Sequence, residues 1–273
     1  MTQTTVPVIF DLDGTLVDPA GGITDGIAAA LTELGIGVPG KSRMDAMIGP
    51  KLSHSLTDIA GVPADQLDDA IRIYRAHYLA TGIAQSRLYP GIRALLEAFV
   101  DAGRPIAVAT QKPEGIARTV LEHHGIAALF HTIRGSAADE AAAASVPSGK
   151  AAIVAAALAD LSTHHGVDTQ HTVMVGDRAQ DVAGAAANGL DCIGVGWGFA
   201  PDGELDAAGA VEIVHSSLAL HETIARRDAA HSDAANPGAA NPGAVNPVAA
   251  GALTANPDLS TEAQDEVHTH GNV

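Results

Sequence analysis

The sequence is poor in aromatic residues, in cysteine and in positive charge. Of its 273 residues 3% are aromatic, and 15 Lys and Arg are set against 32 Asp and Glu, which leaves a formal net charge of −17 at pH 7. Because no basic stripe offsets this charge, nonspecific binding to nucleic acid is not expected. With few aromatics, the core must consist of Ala, Val, Leu and Ile, which suits a parallel sheet covered by alanine-rich helices.

The chain also lacks a second cysteine, a leader pattern and a long apolar run. Cys192 stands alone, so an internal disulfide is excluded. The first residues have neither the cationic start nor the apolar stretch of a signal peptide, and no apolar segment is long enough to span a membrane. We therefore expect a cytoplasmic protein with no membrane partner, and nothing in the sequence indicates its oligomeric state.

Two acids follow the first apolar run of the chain. The run from Val6 to Asp11 is followed by Leu-Asp13-Gly-Thr15, and it is too short for a helix, so it predicts a buried strand whose carboxyl end carries Asp11 and Asp13. Ligands bind at that edge of open α/β sheets. Taken alone, the segment is also compatible with a calcium loop or a plain turn, although Thr15 and the apolar residues after it do not match an EF-hand loop.

Three later segments place polar side chains beside strand-like or helical patterns. Thr110 ends the apolar run that begins at Pro105, Lys150 opens an alanine-rich helical stretch, and Asp177 ends a third apolar run with Asp181 four residues on. Asp177 and Asp181 can therefore face the same side of a starting helix. Each segment also has an ordinary interpretation: a turn that caps the next helix, a solvated lysine, and acids favoured by the helix dipole.

The chain resembles the haloacid dehalogenase (HAD) superfamily over about residues 6–224. Its four motifs occur in the family's order, as Asp11-x-Asp13-x-Thr15, Thr110, Lys150, and Asp177 with Asp181. The resemblance implies a phosphatase in which Asp11 is the nucleophile that forms an aspartyl-phosphate. Asp13 would protonate the leaving oxygen and then accept a proton from water. Thr110 would hydrogen-bond the transferring phosphoryl group, and Lys150 would neutralise both the nucleophile and the phosphate.

The resemblance also implies a magnesium ion. Mg²⁺ is a hard cation that takes one or two carboxylates, waters and substrate phosphate oxygens. These ligands suit a site made of Asp11, Asp177 and the backbone oxygen of Asp13. Asp181 is expected to orient this site from just outside the ligand set, as hydrogen-bonding partners of metal ligands do.

Strand-like and helical patterns alternate along the chain, which predicts an α/β fold with a doubly wound parallel sheet, the HAD-like Rossmannoid core. We assign residues 1–18 and 87–227 to this core. From residue 228 the composition changes to Ala, Gly and recurrent Asn-Pro, and we expect residues 228–273 to form a disordered low-complexity tail. The predicted strands are Val6–Asp11, Pro105–Thr110, Phe130–Gly135, Thr172–Asp177, Asp191–Val195 and Val211–Val214.

Residues 19–86, between the first two predicted strands, have no strand pattern and carry apolar residues at helical spacing. The family resemblance implies that this insertion is a helical cap domain that closes over the site. Within it, Gly49, Lys51 and Arg75 are candidate contacts for the distal group of a substrate. A turn at residues 49–51 and a solvated helix charge at Arg75 explain these residues equally well.

The predicted substrate is a small phosphate ester. Gly196-Trp197-Gly198, with the acids and alanines that follow, resembles the closing segment of HAD phosphatases that act on phosphoglycolate or nucleotides. A dinucleotide fingerprint is not indicated there, because the glycine spacing differs from G-x-G-x-x-G. Two alternatives stay open: transfer of the phosphoryl group to an acceptor other than water, such as a protein hydroxyl, or a non-catalytic regulator with the same fold.

Overall fold

The computed structural model of the chain describes residues 5–137 and 149–235. Within these residues a six-stranded parallel sheet has the strand order β5-β4-β1-β6-β7-β8, and a second pair, β2 and β3, is antiparallel. All six predicted strands are confirmed, although several ends differ and β4 runs on past Thr110 to Pro113. The strands are β1 (Val8–Phe10), β2 (Val17–Asp18), β3 (Arg87–Leu88), β4 (Ile106–Pro113), β5 (Thr132–Ser136), β6 (Val173–Gly176), β7 (Asp191–Val195) and β8 (Glu212–Val214).

Helices cover both faces of the sheet, which confirms the doubly wound α/β fold. The pleat of β1 illustrates the two layers: Val8 and Phe10 pack into one apolar cluster and Ile9 into the other, and all three are fully buried. The α-helices of the described residues are α1 (Gly22–Glu33), α2 (Lys41–Asp45), α3 (Leu52–His54), α4 (Leu67–His77), α5 (Ile83–Gln85), α6 (Ile92–Asp101), α7 (Glu114–His123), α8 (Lys150–His165), α9 (Ala179–Ala186), α10 (Glu204–Ala208) and α11 (Ser217–Ala235).

The helical segment, residues 22–85 with helices α1 to α5, is inserted between β2 and β3. These two strands pair Val17 with Leu88, so the chain leaves and re-enters the sheet layer at one place. Helices α1 and α4 pack on each other, and the rings of Tyr74 and Tyr78 stack with centroids 5.7 Å apart. The predicted helices are therefore present, and their assignment as a separate cap domain stays a prediction.

The end of the described chain differs from the sequence prediction. Helix α11 continues to Ala235, so residues 228–235 are helical where the tail was expected to begin. The physical reason is a long-range contact that composition does not reveal, because buried Asp228 pairs with Arg104 and accepts a hydrogen bond from the Val6 amide. The Asn-Pro repeats and the alanine-rich stretch of residues 138–148 lie outside the described residues.

Among residues 5–137 and 149–235, no helix combines the length and the hydropathy needed to cross a membrane.

Candidate active site

The sheet order brings three of the predicted site residues together. Strand β1 lies between β4 and β6, and all three run parallel, so the residues just after or at their carboxyl ends meet at one edge. Asp11 follows β1, Thr110 lies near the end of β4, and Asp177 follows β6. Lys150 is the first residue of α8, and Asp181 lies in the first turn of α9. The side chains of both residues lie at this same edge.

Three carboxylates lie together at this edge, and one lysine contacts two of them. The Nζ atom of Lys150 lies 2.5 Å from Asp11 Oδ1 and 2.7 Å from Asp181 Oδ1, and it donates to the Ala109 carbonyl at 2.7 Å. Oxygen atoms of Asp11, Asp177 and Asp181 lie within 4.8 Å of one another. All four side chains are buried. When all three carboxylates are ionised, as they are around a bound cation, three negative charges against one positive charge leave an excess of two negative charges away from water.

This imbalance changes the acid–base properties of the cluster. Burial, followed by the neighbouring carboxylates Asp181 and Asp11, raises the pKa of Asp177 well above its ordinary value. Burial disfavours the charged form of Lys150, but Asp11 and Asp181 outweigh it and raise the pKa of that ammonium, which stays charged. A cation beside the three acids would compensate the negative charge that Lys150 leaves unpaired.

The acid cluster fits a magnesium ion by its chemistry and its charge. Its donors are hard carboxylate oxygens, which Mg²⁺ prefers, and its excess of two negative charges equals the charge of the ion. Gly14 and Gly198 allow the chain to pass close to Asp177, because an added Cβ would lie 2.2 Å from Oδ2 of Asp177 at Gly14 and 2.3 Å from its Cβ at Gly198. Gly14 also has a φ of +87°, which other residues rarely adopt.

Hydrogen bonds hold the two later carboxylates in place. Asp177 accepts from the Phe199 amide at 2.8 Å and from the Thr15 hydroxyl at 3.3 Å. Asp181 accepts from the Arg178 amide at 3.0 Å, which also caps α9. Asp181 is thus a helix N-terminal acid, as one of the two interpretations of the sequence expected. It is also more than that, because its other oxygen pairs with Lys150.

Arg178 joins this edge of the sheet to the helical segment. Its guanidinium donates to the Ile48 carbonyl at 2.6 Å and pairs with Glu204 at 2.9 Å. Trp197 makes a contact within the edge itself, donating from Nε1 to the Thr15 carbonyl at 3.1 Å. Sequence reasoning did not identify either role, because both contacts join segments that are far apart in the chain.

Asp13 does not join the carboxylate cluster but pairs with a lysine that sequence reasoning missed. Lys112 Nζ lies 2.8 Å from Asp13 Oδ2 and 4.5 Å from the centroid of the Tyr78 ring. Burial raises the pKa of Asp13, and Lys112 offsets this only in part. The sequence feature that could have indicated this pair is a lysine two residues after Thr110, at the end of the same strand. The Lys112 amide also donates to the Thr110 hydroxyl at 3.2 Å.

A small cavity of about 50 Å³ lies between the acid edge and the helical segment. Of the three candidate substrate contacts, Gly49 and Arg75 line this cavity together with Asp11 and Asp13, whereas Lys51 is not among its lining residues. The helical segment contributes Ile23, Met47, Gly49, Pro50, Leu52, Tyr74, Arg75 and Tyr78. Toward the helical segment the cavity is thus lined mostly by apolar and tyrosine side chains with Arg75 as the charged residue, and toward the sheet it is charged.

Comparison with known proteins gives consistent results. The sequence profile of the haloacid dehalogenase-like hydrolases matches residues 8–195. A 5'-nucleotidase of Pseudomonas aeruginosa is 37% identical over 73% of this chain and 86% of its own length. A phosphoglycolate phosphatase of Vibrio vulnificus is 31% identical over 80% of this chain and 96% of its own length. The structure of Protein Tyrosine Kinase A (PtkA) of Mycobacterium tuberculosis superimposes with a TM-score of 0.68, at 37% identity over 81% of this chain and 99% of that one.

Proposed function

Since the chain belongs to the haloacid dehalogenase-like hydrolase family and is a phosphatase of that family, we propose that it hydrolyses a small phosphomonoester, phosphoglycolate or a nucleoside monophosphate, through an aspartyl-phosphate. One observation carries the proposal: buried Lys150 bridges Asp11 and Asp181 beside a third buried acid, at the carboxyl edge of a parallel sheet. The names of the 5'-nucleotidase and phosphoglycolate phosphatase relatives support the two substrate candidates.

In the first step an oxygen of Asp11 attacks phosphorus, the bond from phosphorus to the ester oxygen breaks, and Asp13 gives its proton to that oxygen. In the second step water attacks the phosphoryl group on Asp11, and the proton of the water passes to Asp13. The bond between phosphorus and the Asp11 oxygen breaks, phosphate is released, and both carboxyl groups return to their starting state. The Lys150 ammonium lies 2.5 Å from Asp11 Oδ1, where its positive charge offsets the negative charge of the attacking carboxylate and of the incoming phosphate. Thr110, 2% exposed at the end of β4, is the candidate donor to the phosphoryl oxygens.

Asp11 and Asp177 would hold the magnesium ion, with the backbone oxygen of Asp13 and with Asp181 beside them. The ion supplies positive charge to the phosphoryl oxygens, on which phosphoryl transfer depends. The protein's part is to hold the three carboxylates close together and in fixed orientations. The hydrogen bonds from Phe199 and Thr15 to Asp177 serve that purpose.

The helical segment is proposed to act as a lid. A cavity of about 50 Å³ has room for only a few water molecules, so a phosphate ester can enter only if the segment moves away from the sheet. The paired strands β2 and β3 are suited to such a movement, because the segment is joined to the sheet layer at that one place.

The test is release of phosphate from a panel of phosphorylated metabolites, with Mg²⁺ or with a chelator. We expect magnesium-dependent turnover that Asp11→Asn abolishes. Asp101→Asn, which changes an exposed acid at the end of α6, is the matched control and should keep full activity. Turnover that survives in Asp11→Asn, or folded protein that hydrolyses no ester in the panel, would contradict the proposal.

A second candidate is transfer of the phosphoryl group to a protein hydroxyl, which is favoured by the likeness to PtkA, a protein tyrosine kinase. Both reactions use the same site, so the acceptor must be measured directly. With a radiolabelled phosphoryl donor, hydrolysis predicts label in free phosphate, whereas transfer predicts stable label on tyrosine of an added protein substrate. The ratio of the two products decides between them.

A further inference from the structure

Lys112 is a second buried lysine at the site, and it differs from Lys150 in its surroundings. Lys150 contacts two carboxylates and a carbonyl, whereas Lys112 has a single carboxylate partner, Asp13, among the described residues. Its side chain is 6% exposed. A charged amine that is this deeply buried requires a negative partner, because the loss of hydration is otherwise uncompensated. Burial opposes the charge of Lys112, but Asp13 outweighs it and raises the pKa of the amine.

Arg75 brings a second positive charge to the same cavity. It lies on α4 and lines the cavity with Lys112 and Asp13. Its Nε atom is buried without a hydrogen-bond partner, and its guanidinium forms no ion pair within the part of the chain that the structure describes. Two cations therefore face one carboxylate on the side of the site toward the helical segment. Positive charge is in excess there, whereas negative charge is in excess in the acid cluster next to it.

The two oxygens of Asp13 are used differently. Oδ2 lies against Lys112, whereas Oδ1 is buried and lacks a hydrogen-bond partner among the described residues. Under the proposed reaction Oδ1 is thus the oxygen available to the ester oxygen of the substrate. A group attached one or two carbon atoms beyond the ester oxygen would then lie next to Lys112 and Arg75.

We propose that Lys112 and Arg75 form a subsite for a carboxylate on the leaving part of the substrate, so that the enzyme selects short phosphorylated hydroxy acids. The inference rests on the proposed phosphatase function and narrows it. A carboxylate on the substrate would give Lys112 and Arg75 a negative partner that an uncharged end group does not supply, and a site built around such a contact discriminates against the analogue that lacks it.

The experiment compares two esters that differ only in the end group. Phosphoglycolate ends in a carboxylate, and 2-hydroxyethyl phosphate carries a hydroxymethyl group in its place. We expect the wild-type enzyme to prefer phosphoglycolate by at least about 100-fold in kcat/KM. Lys112→Met, which keeps the length of the side chain without its charge, should reduce this preference about 10-fold or more, mainly through KM for phosphoglycolate. Arg75→Gln should act in the same direction with a smaller effect.

Lys41→Met is the matched control, because Lys41 is 87% exposed and, within residues 5–137 and 149–235, pairs with Asp45 of its own helix alone. Equal rates for the two esters in the wild type would overturn the subsite, and this comparison needs no variant if Lys112→Met does not fold. Equal losses for both esters in Lys112→Met would also overturn it, since Lys112 would then act only through Asp13. If the wild type hydrolyses nucleoside monophosphates but neither short ester, the subsite fails and the phosphatase function stands. If it hydrolyses no ester, both fail.

Discussion

The two ends of the central sheet bury charge in opposite ways. At the carboxyl end three carboxylates lie together with Lys150 as the one lysine that pairs with them, so negative charge is in excess among these described residues. At the amino end one guanidinium meets one carboxylate: Arg104 donates to both oxygens of Asp228, at 3.0 and 2.5 Å, and to the Val6 carbonyl. The Val6 amide completes the set by donating to Asp228 at 2.8 Å.

The difference separates a site from a structural contact. A balanced ion pair needs no counter-charge from solution, and here it fastens α11 to the residue two positions before β1. An unbalanced cluster lowers the free energy of unfolding until a ligand brings a counter-charge from solution. We therefore expect substitutions at the carboxyl end to change activity and those at the amino end to change stability.

The largest expected effect is that of Asp11→Asn on activity. Loss of the nucleophile should lower kcat/KM by at least about 10⁴-fold. The melting temperature of the metal-free protein should not fall, because one of three mutually repelling acids becomes neutral. Phosphate release and thermal unfolding of the same samples check both parts. Unfolding of this variant under conditions in which the wild type is folded would contradict the comparison.

The next effect is that of Asp228→Asn on stability. Removing one partner of a buried ion pair should lower the free energy of unfolding by about 3 kcal/mol or more, because Arg104 keeps its buried charge. The kcat of the folded protein should be unchanged. Urea unfolding followed by circular dichroism gives the first quantity. Asp233→Asn, at an exposed position of the same helix, is the control and should unfold like the wild type.

Magnesium should stabilise only a protein with an intact carboxyl-end cluster. At a concentration about 100 times its Kd the ion is expected to add about 2.7 kcal/mol to the free energy of unfolding. Trp197, the one tryptophan of the chain, contacts Thr15, whose hydroxyl donates to Asp177, so its fluorescence should report binding. Asp177→Asn should lose both responses. A full magnesium response in Asp177→Asn would exclude this site.

The smallest effect concerns a balanced pair near the edge of the sheet, and it depends on pH. Hydrogen bonds from Arg134, with a further one from Thr132, lower the pKa of Asp160 to about 2. Because the folded-state pKa lies below the unfolded value of about 3.9, the pair stabilises the protein above that pH and loses its effect as pH falls toward 2. Since Arg134 is partly exposed, we expect about 1–2 kcal/mol.

Asp160→Asn tests this expectation by comparison with the wild type. The two proteins should differ in free energy of unfolding by a constant amount between pH 5 and pH 7, and the difference should shrink as pH is lowered from about 4 toward 2. A difference that persists without change at pH 3 would show that the contact works through packing rather than charge.

The acid edge was predictable from sequence because each of its parts is local. Asp11 and Asp177 directly follow β1 and β6, and Lys150 begins α8 as expected. An apolar run that ends in an acid is visible within a few residues, and parallel strands bring such ends to one edge. The roles assigned to these residues remain predictions, as does the lid function of the helical segment.

Local patterns could not predict the partners of Lys112, Arg178 and Asp228. Lys112 reaches Asp13, Arg178 reaches Ile48 in the helical segment, and Asp228 reaches Arg104. In each case the sequence offers an ordinary charged residue, and only the packing of distant segments selects its partner. The start of the tail was placed at residue 228 for this reason, although α11 extends to Ala235.

The sequence by itself determined the order of strands and helices, the acids that end the strands and the family to which they point, because these are properties of short segments. Tertiary structure decided which charges are balanced. Pairing needs side chains from separate segments to meet within about 3 Å with water removed, and the number of such arrangements open to an isolated sequence is large. The balanced pair at one end of the sheet and the unbalanced cluster at the other therefore became visible only in the folded chain.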